Sequence, residues 1–89
     1  MLRLKRHKQF LKDFLKCPIS DKHYSKFTVY IAILIKKEQL PIEAQDHLLK
    51  GKYTGFREFH ISGNILVIYK ISGDVLNLVR IGTNSQLFK

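Results

Sequence analysis

An α+β fold, with two N-terminal helices packed on a mainly antiparallel sheet, is predicted by three features of this 89-residue sequence. Residues 8–17 and 21–37 repeat apolar side chains at helical spacing. Residues 56–61, 65–71 and 75–81 read as strands. Between those strands, Ser62-Gly63-Asn64 and Ser72-Gly73-Asp74 supply hairpin chemistry. The expected order is strand, helix, helix and then a three-strand meander, in one domain spanning residues 1–89.

The elements follow in turn. Residues 2–7 alternate apolar and basic side chains weakly and suit a short edge strand. From Lys8 the period changes: Phe10, Leu11, Phe14, Leu15 and Cys17 share one side, while Lys8, Lys12 and Lys16 line the other. Pro18 ends this helix. Ser20 is placed to cap the next, with Asp21 against the positive end of its dipole. Phe27, Tyr30, Ile31, Leu34 and Ile35 form its main stripe. Val29 and Ile33 add a second apolar line. The helix is therefore either partly an interface, with these two as docking points for a partner, or, as expected here, sandwiched between its neighbour and the sheet. In the first meander strand Phe59 and Ile61 share one face, and Phe56, Glu58 and His60 the other. The last strand gives way after Gly82 to a polar tail closed by Leu87, Phe88 and Lys89.

With 45% hydrophobic residues the chain can bury a core, so disorder is not expected. A single cysteine, Cys17, excludes a disulfide framework and suits a reducing cytoplasm. The longest uncharged run, residues 27–35, is too short to span a bilayer, and the N-terminus lacks the apolar stretch of a signal peptide. Sixteen Lys and Arg against seven Asp and Glu give a formal charge of +9. That field favours polyanionic partners, nucleic acid first among them.

Residues 45–61 concentrate the chemistry. His47 and His60 flank a basic, turn-rich linker, Lys50-Gly51-Lys52-Tyr53-Thr54-Gly55. Histidine can both accept and donate a proton near neutral pH, as general acid–base cleavage of a phosphodiester requires. Glu58, two residues before His60 on the same face, is placed to orient it. No metal or cofactor is expected, because His7, His23, His47 and His60 are scattered and the acids dispersed.

Four segments, Asp46-His47-Leu48-Leu49-Lys50-Gly51, Phe56-Arg57-Glu58-Phe59-His60, Leu66-Val67-Ile68-Tyr69 and residues 80–88, together resemble the YafQ-type toxins of the RelE/ParE superfamily. The resemblance implies a β-α-α-β-β-β toxin that cleaves mRNA on the ribosome and is neutralised by a cognate antitoxin. It further implies as functional the histidine of a D-H-x-L-x-G motif, the histidine ending R-x-x-H, an aspartate in the following turn, a late histidine and a terminal phenylalanine. His47, His60 and Phe88 match. Asn64 stands where the turn aspartate is expected and Asn84 where the late histidine is, and asparagine cannot exchange a proton at neutral pH.

The catalytic candidates are therefore His47, His60, Arg80, Asn84 and Phe88. Arg80 would stabilise the transition-state phosphate, and Phe88 would either stack on a base or pin the tail to the core. Strict alternation puts Arg80 on a face with Leu76 and Leu78, which would partly bury its stem. Lys50, Lys52, Arg57, Asn64 and Tyr69 are the candidates for holding RNA. Arg57 points away from His60 by alternation and is alternatively a partner for an acid. Tyr69 reads as core with its hydroxyl at the site edge. Two other functions remain open: a ParE-like toxin that binds gyrase, and a basic nucleic-acid-binding module without catalysis.

Overall fold

Five strands, one more than the periodicity predicts, build the sheet in a computed structural model that describes residues 1–88. Lys89 of the expected tail lies outside the described residues. In chain order the elements are β1 (Arg3–Arg6), α1 (Lys8–Lys16), α2 (Asp21–Ile35), β2 (His47–Leu48), β3 (Arg57–His60), β4 (Ile65–Ser72), β5 (Val75–Thr83) and α3 (Asn84–Leu87). Short 3₁₀ turns at Ile42–Ala44 and Gly51–Tyr53 flank β2. The sheet order is β1-β5-β4-β3-β2, with β1 parallel to β5 and every other pair antiparallel. The parallel pairing of β1 with β5 follows from a long connection: α1 and α2 carry the chain to β2 at the far edge, and β3 and β4 bring it back.

One face of the sheet carries Phe59, Val67, Tyr69, Leu76, Leu78 and Ile81, and it is covered by Phe10 of α1 and by Tyr30, Ile31 and Leu34 of α2. Phe10 is 2% exposed, and such a burial contributes about 1.5–3 kcal/mol. Phe10, Phe14, Tyr24 and Phe27 join the two helices, with ring centroids 5.8–6.3 Å apart. The cap at Ser20 forms as the sequence predicts, its hydroxyl accepting the His23 N–H at 3.2 Å. α2 is not sandwiched. Val29 is 55% exposed, whereas Ile33 packs against the core, so the second apolar line divides between solvent and interior. On α1, Leu11 and Leu15 are likewise exposed. Among the described residues no helix is long and apolar enough to cross a membrane.

The opposite face carries a smaller cluster of Tyr53, Leu66, Ile68 and Leu87, with Leu49, Phe56 and Val79 against it. Two segments cover it: the linker between β2 and β3, and α3. The polar tail after Gly82 thus forms a short helix, Asn84–Leu87. Thr83 and Gln86 form its capping box, the Thr83 hydroxyl accepting the Gln86 N–H and the Gln86 side chain accepting the Thr83 N–H. α3 folds back so closely over Gly82 that a Cβ there would lie 2.9 Å from Gln86 Oε1 and 3.3 Å from a Leu87 methyl.

Candidate active site

His47, expected in a loop, lies in β2 directly opposite Glu58 of β3. Across that pair both side chains stand on the face turned away from α1 and α2. His60, two residues beyond Glu58 along the pleat, joins them there. The three converge on one atom. Glu58 Oε2 accepts from His60 Nε2 at 3.0 Å and lies 3.3 Å from His47 Nε2. The imidazole centroids are 6.3 Å apart. The Glu58 side chain is 8% exposed, that of His60 19% and that of His47 51%. Glu58 therefore serves both histidines, a wider part than the sequence suggests for it.

The two imidazoles differ in what their other nitrogen meets. His47 Nδ1 faces the Gln45 carbonyl at 2.6 Å, so both of its nitrogens point at acceptors, and a doubly protonated ring satisfies both. His60 Nδ1 makes no hydrogen bond among the described residues. In the neutral tautomer that gives its Nε2–H to Glu58, Nδ1 carries the lone pair, as in a carboxylate-oriented base.

One row of the sheet runs His47, Glu58, Ile68, Arg80. Arg80 stands two strands from Glu58, about 10 Å between backbones. Its side of the sheet is not the one strict alternation predicts. A register shift at Ile68/Tyr69 leaves Val79 as an extra residue in β5, so Arg80 turns to the Ile68 side while Leu76 and Leu78 remain in the helix-side core. The guanidinium is held: Nε donates to Asp13 Oδ2 at 2.6 Å, Nη2 to Asp13 Oδ1 at 3.1 Å and Nη1 to the Tyr53 hydroxyl at 3.2 Å. The Asp13 carboxylate raises the Arg80 pKa above its ordinary value against the opposing effect of burial.

Phe88 is 41% exposed, and its ring meets Tyr53 edge-on at 5.8 Å. Tyr53 meets Phe56 in the same way at 6.0 Å, which makes an aromatic row beside the histidines. Lys52 lies over Tyr53 at 5.6 Å and Lys70 over Phe56 at 5.1 Å, so cations border that row; Lys50 is exposed at the start of the same linker. Asn64 and Asn84 are exposed. Asn64 precedes Ile65 and Asn84 follows Thr83; because Ile65 pairs with Thr83, both asparagines lie at the His60 end of the sheet.

Arg57 and Tyr69 are not brought to this face. They pair with each other across β3 and β4, on the side of the helices. There Asp46 takes both: the Tyr69 hydroxyl lies 2.8 and 2.9 Å from its two oxygens, and Arg57 Nε donates to it at 3.0 Å. Burial first, then Asp46, pushes the Tyr69 pKa up; Asp46 also raises that of Arg57 against the effect of burial. Of two neighbours in the chain, Asp46 thus bonds on one face and His47 stands on the other. The residues that sequence reasoning missed are Asp13, Tyr53 and Lys70. Asp13 left one signal, an acid standing between Lys12 and Lys16 on an otherwise basic helix.

Residues 2–89 match the model of a bacterial toxin of type II toxin–antitoxin systems, YafQ. The chain belongs to the YafQ toxin family. It is 31% identical over 81 residues to the mRNA interferase toxin YafQ of Escherichia coli, covering 90% of this chain and 88% of that one. A copper-bound mutant toxin from Helicobacter pylori is 42% identical, with a TM-score of 0.88 over 99% of this chain and 100% of its own. YafQ in the Escherichia coli DinJ–YafQ complex is 28% identical, with a TM-score of 0.82 over the full length of both. The fold is accordingly the α+β arrangement of YafQ. The copper belongs to that neighbour; among the described residues here no group of three or more His, Cys, Asp or Glu is arranged to hold a metal ion.

Proposed function

We propose that this chain is an mRNA endoribonuclease that acts on the translating ribosome in the cytoplasm, by metal-independent histidine catalysis, and is held inactive by a cognate antitoxin. The observation that carries this reading is the pair of imidazoles on one buried carboxylate oxygen, within 3.3 Å of it, on a basic and aromatic face. His60, oriented by Glu58, removes the proton from a ribose 2′-hydroxyl through Nδ1. The 2′-oxygen attacks the adjacent phosphorus, and the bond to the 5′-oxygen breaks. His47, both of whose ring nitrogens face acceptors, is the group that supplies the proton this oxygen takes on leaving. The products are a 2′,3′-cyclic phosphate and a 5′-hydroxyl. Arg80 offsets the charge gathering on the phosphorane. Phe88, backed by the buried Tyr53, offers a face on which a base stacks, and Lys50, Lys52 and Lys70 follow the backbone.

Asn64 and Asn84 sit at the His60 end as hydrogen-bonding groups for base or phosphate, without a part in proton transfer. Arg57 and Tyr69 hold the fold through Asp46. The antitoxin is a protein related in role to the DinJ of the Escherichia coli complex, and an acidic segment in it would suit the +9 charge. Primer extension on mRNA from cells briefly expressing the wild type and His60→Ala tests the reading. Cuts within translated codons that vanish in the variant are expected. Growth arrest without cuts would overturn it in favour of a non-nucleolytic target such as gyrase.

A further inference from the structure

We propose that Asp13 is a positioning residue for Arg80: it holds one edge of the guanidinium and thereby aims the remaining N–H groups at the phosphate under attack. This inference rests on the RNA-cleavage reading above and adds α1 to the site. Arginine has five N–H donors. Two are bound by Asp13 and one by Tyr53, leaving two unengaged. A planar fork held along one edge presents the rest in a fixed direction, as bidentate recognition of a phosphate needs.

Asp13 is itself held from several sides. β1 ends its pairing at Arg6 with Leu78, so the outer edge of β5 is open beyond that point. α1 lies along this open edge, and Asp13 Oδ2 accepts the Ile81 N–H at 3.2 Å in place of a strand. Gln9, one helical turn earlier, donates to Oδ1 at 3.0 Å. The carboxylate is therefore a rigid acceptor in its own right, not a surface partner that Arg80 has collected. The bulge at Val79 completes the device by turning Arg80 off the Leu76–Leu78 face. Tyr53, which holds the guanidinium from the other side, also carries Phe88. One continuous set of contacts thus runs from α1 through Arg80 to the aromatic row. Preorganisation of this kind acts in the transition state, where the phosphate charge grows, more than in ground-state binding.

Charge alone predicts the reverse of positioning. Removing Asp13 takes away a negative charge beside Arg80 and should tighten RNA binding, whereas positioning predicts a slower reaction. Single-turnover cleavage on mRNA-programmed ribosomes by the wild type, Asp13→Asn and Asp13→Glu separates the two. The expected result for Asp13→Asn is a maximal rate lower by about 10- to 100-fold, the scale of a misplaced positioning group. Its half-saturating ribosome concentration should be unchanged or lower, and Asp13→Glu should recover part of the rate. A rate within twofold of wild type, or a loss confined to the half-saturating concentration, overturns the proposal. A wild type that does not cut refutes the RNA-cleavage reading instead. A second measurement needs neither turnover nor a folded variant: NMR of Arg80 in the wild type titrated with a 2′-O-methyl RNA oligonucleotide. The Nη signals should shift while the Nε–H signal stays; movement of Nε–H away from its free-protein position means that Asp13 lets go, and refutes the hold.

Discussion

Replacing Glu58 by glutamine keeps the shape of the side chain and removes the charge on which His47 and His60 converge. A hydrogen bond to an ionised group is roughly twice as strong as a neutral one, so each contact should lose about 1–1.5 kcal/mol. Two such losses give about 2–3 kcal/mol, which at about 1.4 kcal/mol per tenfold is about a 30- to 140-fold lower maximal rate. The His47 side chain is half-exposed and its contact is the longer, 3.3 against 3.0 Å, so solvent screens that share and the effect should fall near the lower bound. The assay is single-turnover cleavage of mRNA on purified ribosomes, read by primer extension. It is run beside a thermal melt, because Glu58 is buried among the strands. RNA binding should hardly change. A variant that melts with the wild type and cleaves within threefold of its rate would refute the idea that Glu58 orients the histidines.

Tyr69→Phe should be destabilising but catalytically silent. It removes a buried hydroxyl bonded to Asp46, at a cost of about 1–3 kcal/mol in urea unfolding; a rate loss above tenfold in the folded variant would return Tyr69 to the site. Burial alone would raise the Asp13 pKa, but bonds from Arg80, Gln9 and the Ile81 N–H outweigh it and hold the carboxyl below its ordinary value. Its stabilising contribution is therefore complete above about pH 4 and is lost as pH falls through the folded value. Urea midpoints of the wild type and Asp13→Asn should differ at pH 7 and converge towards pH 2, and a gap that stayed constant would contradict this. Ala at Lys50 or Lys52 should lower the salt dependence of RNA binding by about 0.7 in log–log slope per lost phosphate contact. An unchanged slope would mark these lysines as a solvated loop.

α1, α2, the meander strands β3, β4 and β5, and the face of Glu58 and His60 were legible in the sequence. Each of these is written in a local period, and the cap at Ser20 and the two hairpin turns are short-range chemistry. The motif likeness to YafQ toxins also lies in the linear order of residues. β2 was not legible, because a two-residue strand has no period and exists only through its pairing with β3. Nor was the side taken by Arg80, since a single bulged residue reverses every later face of a strand and no local pattern announces it. The partners of that arginine lie 67 and 27 positions away in the chain. Residues alone named the two histidines. Only tertiary structure decided that one carboxylate serves both and that Asp13 holds Arg80. A side chain's direction follows from its own strand, but what it meets depends on elements that folding brings from elsewhere.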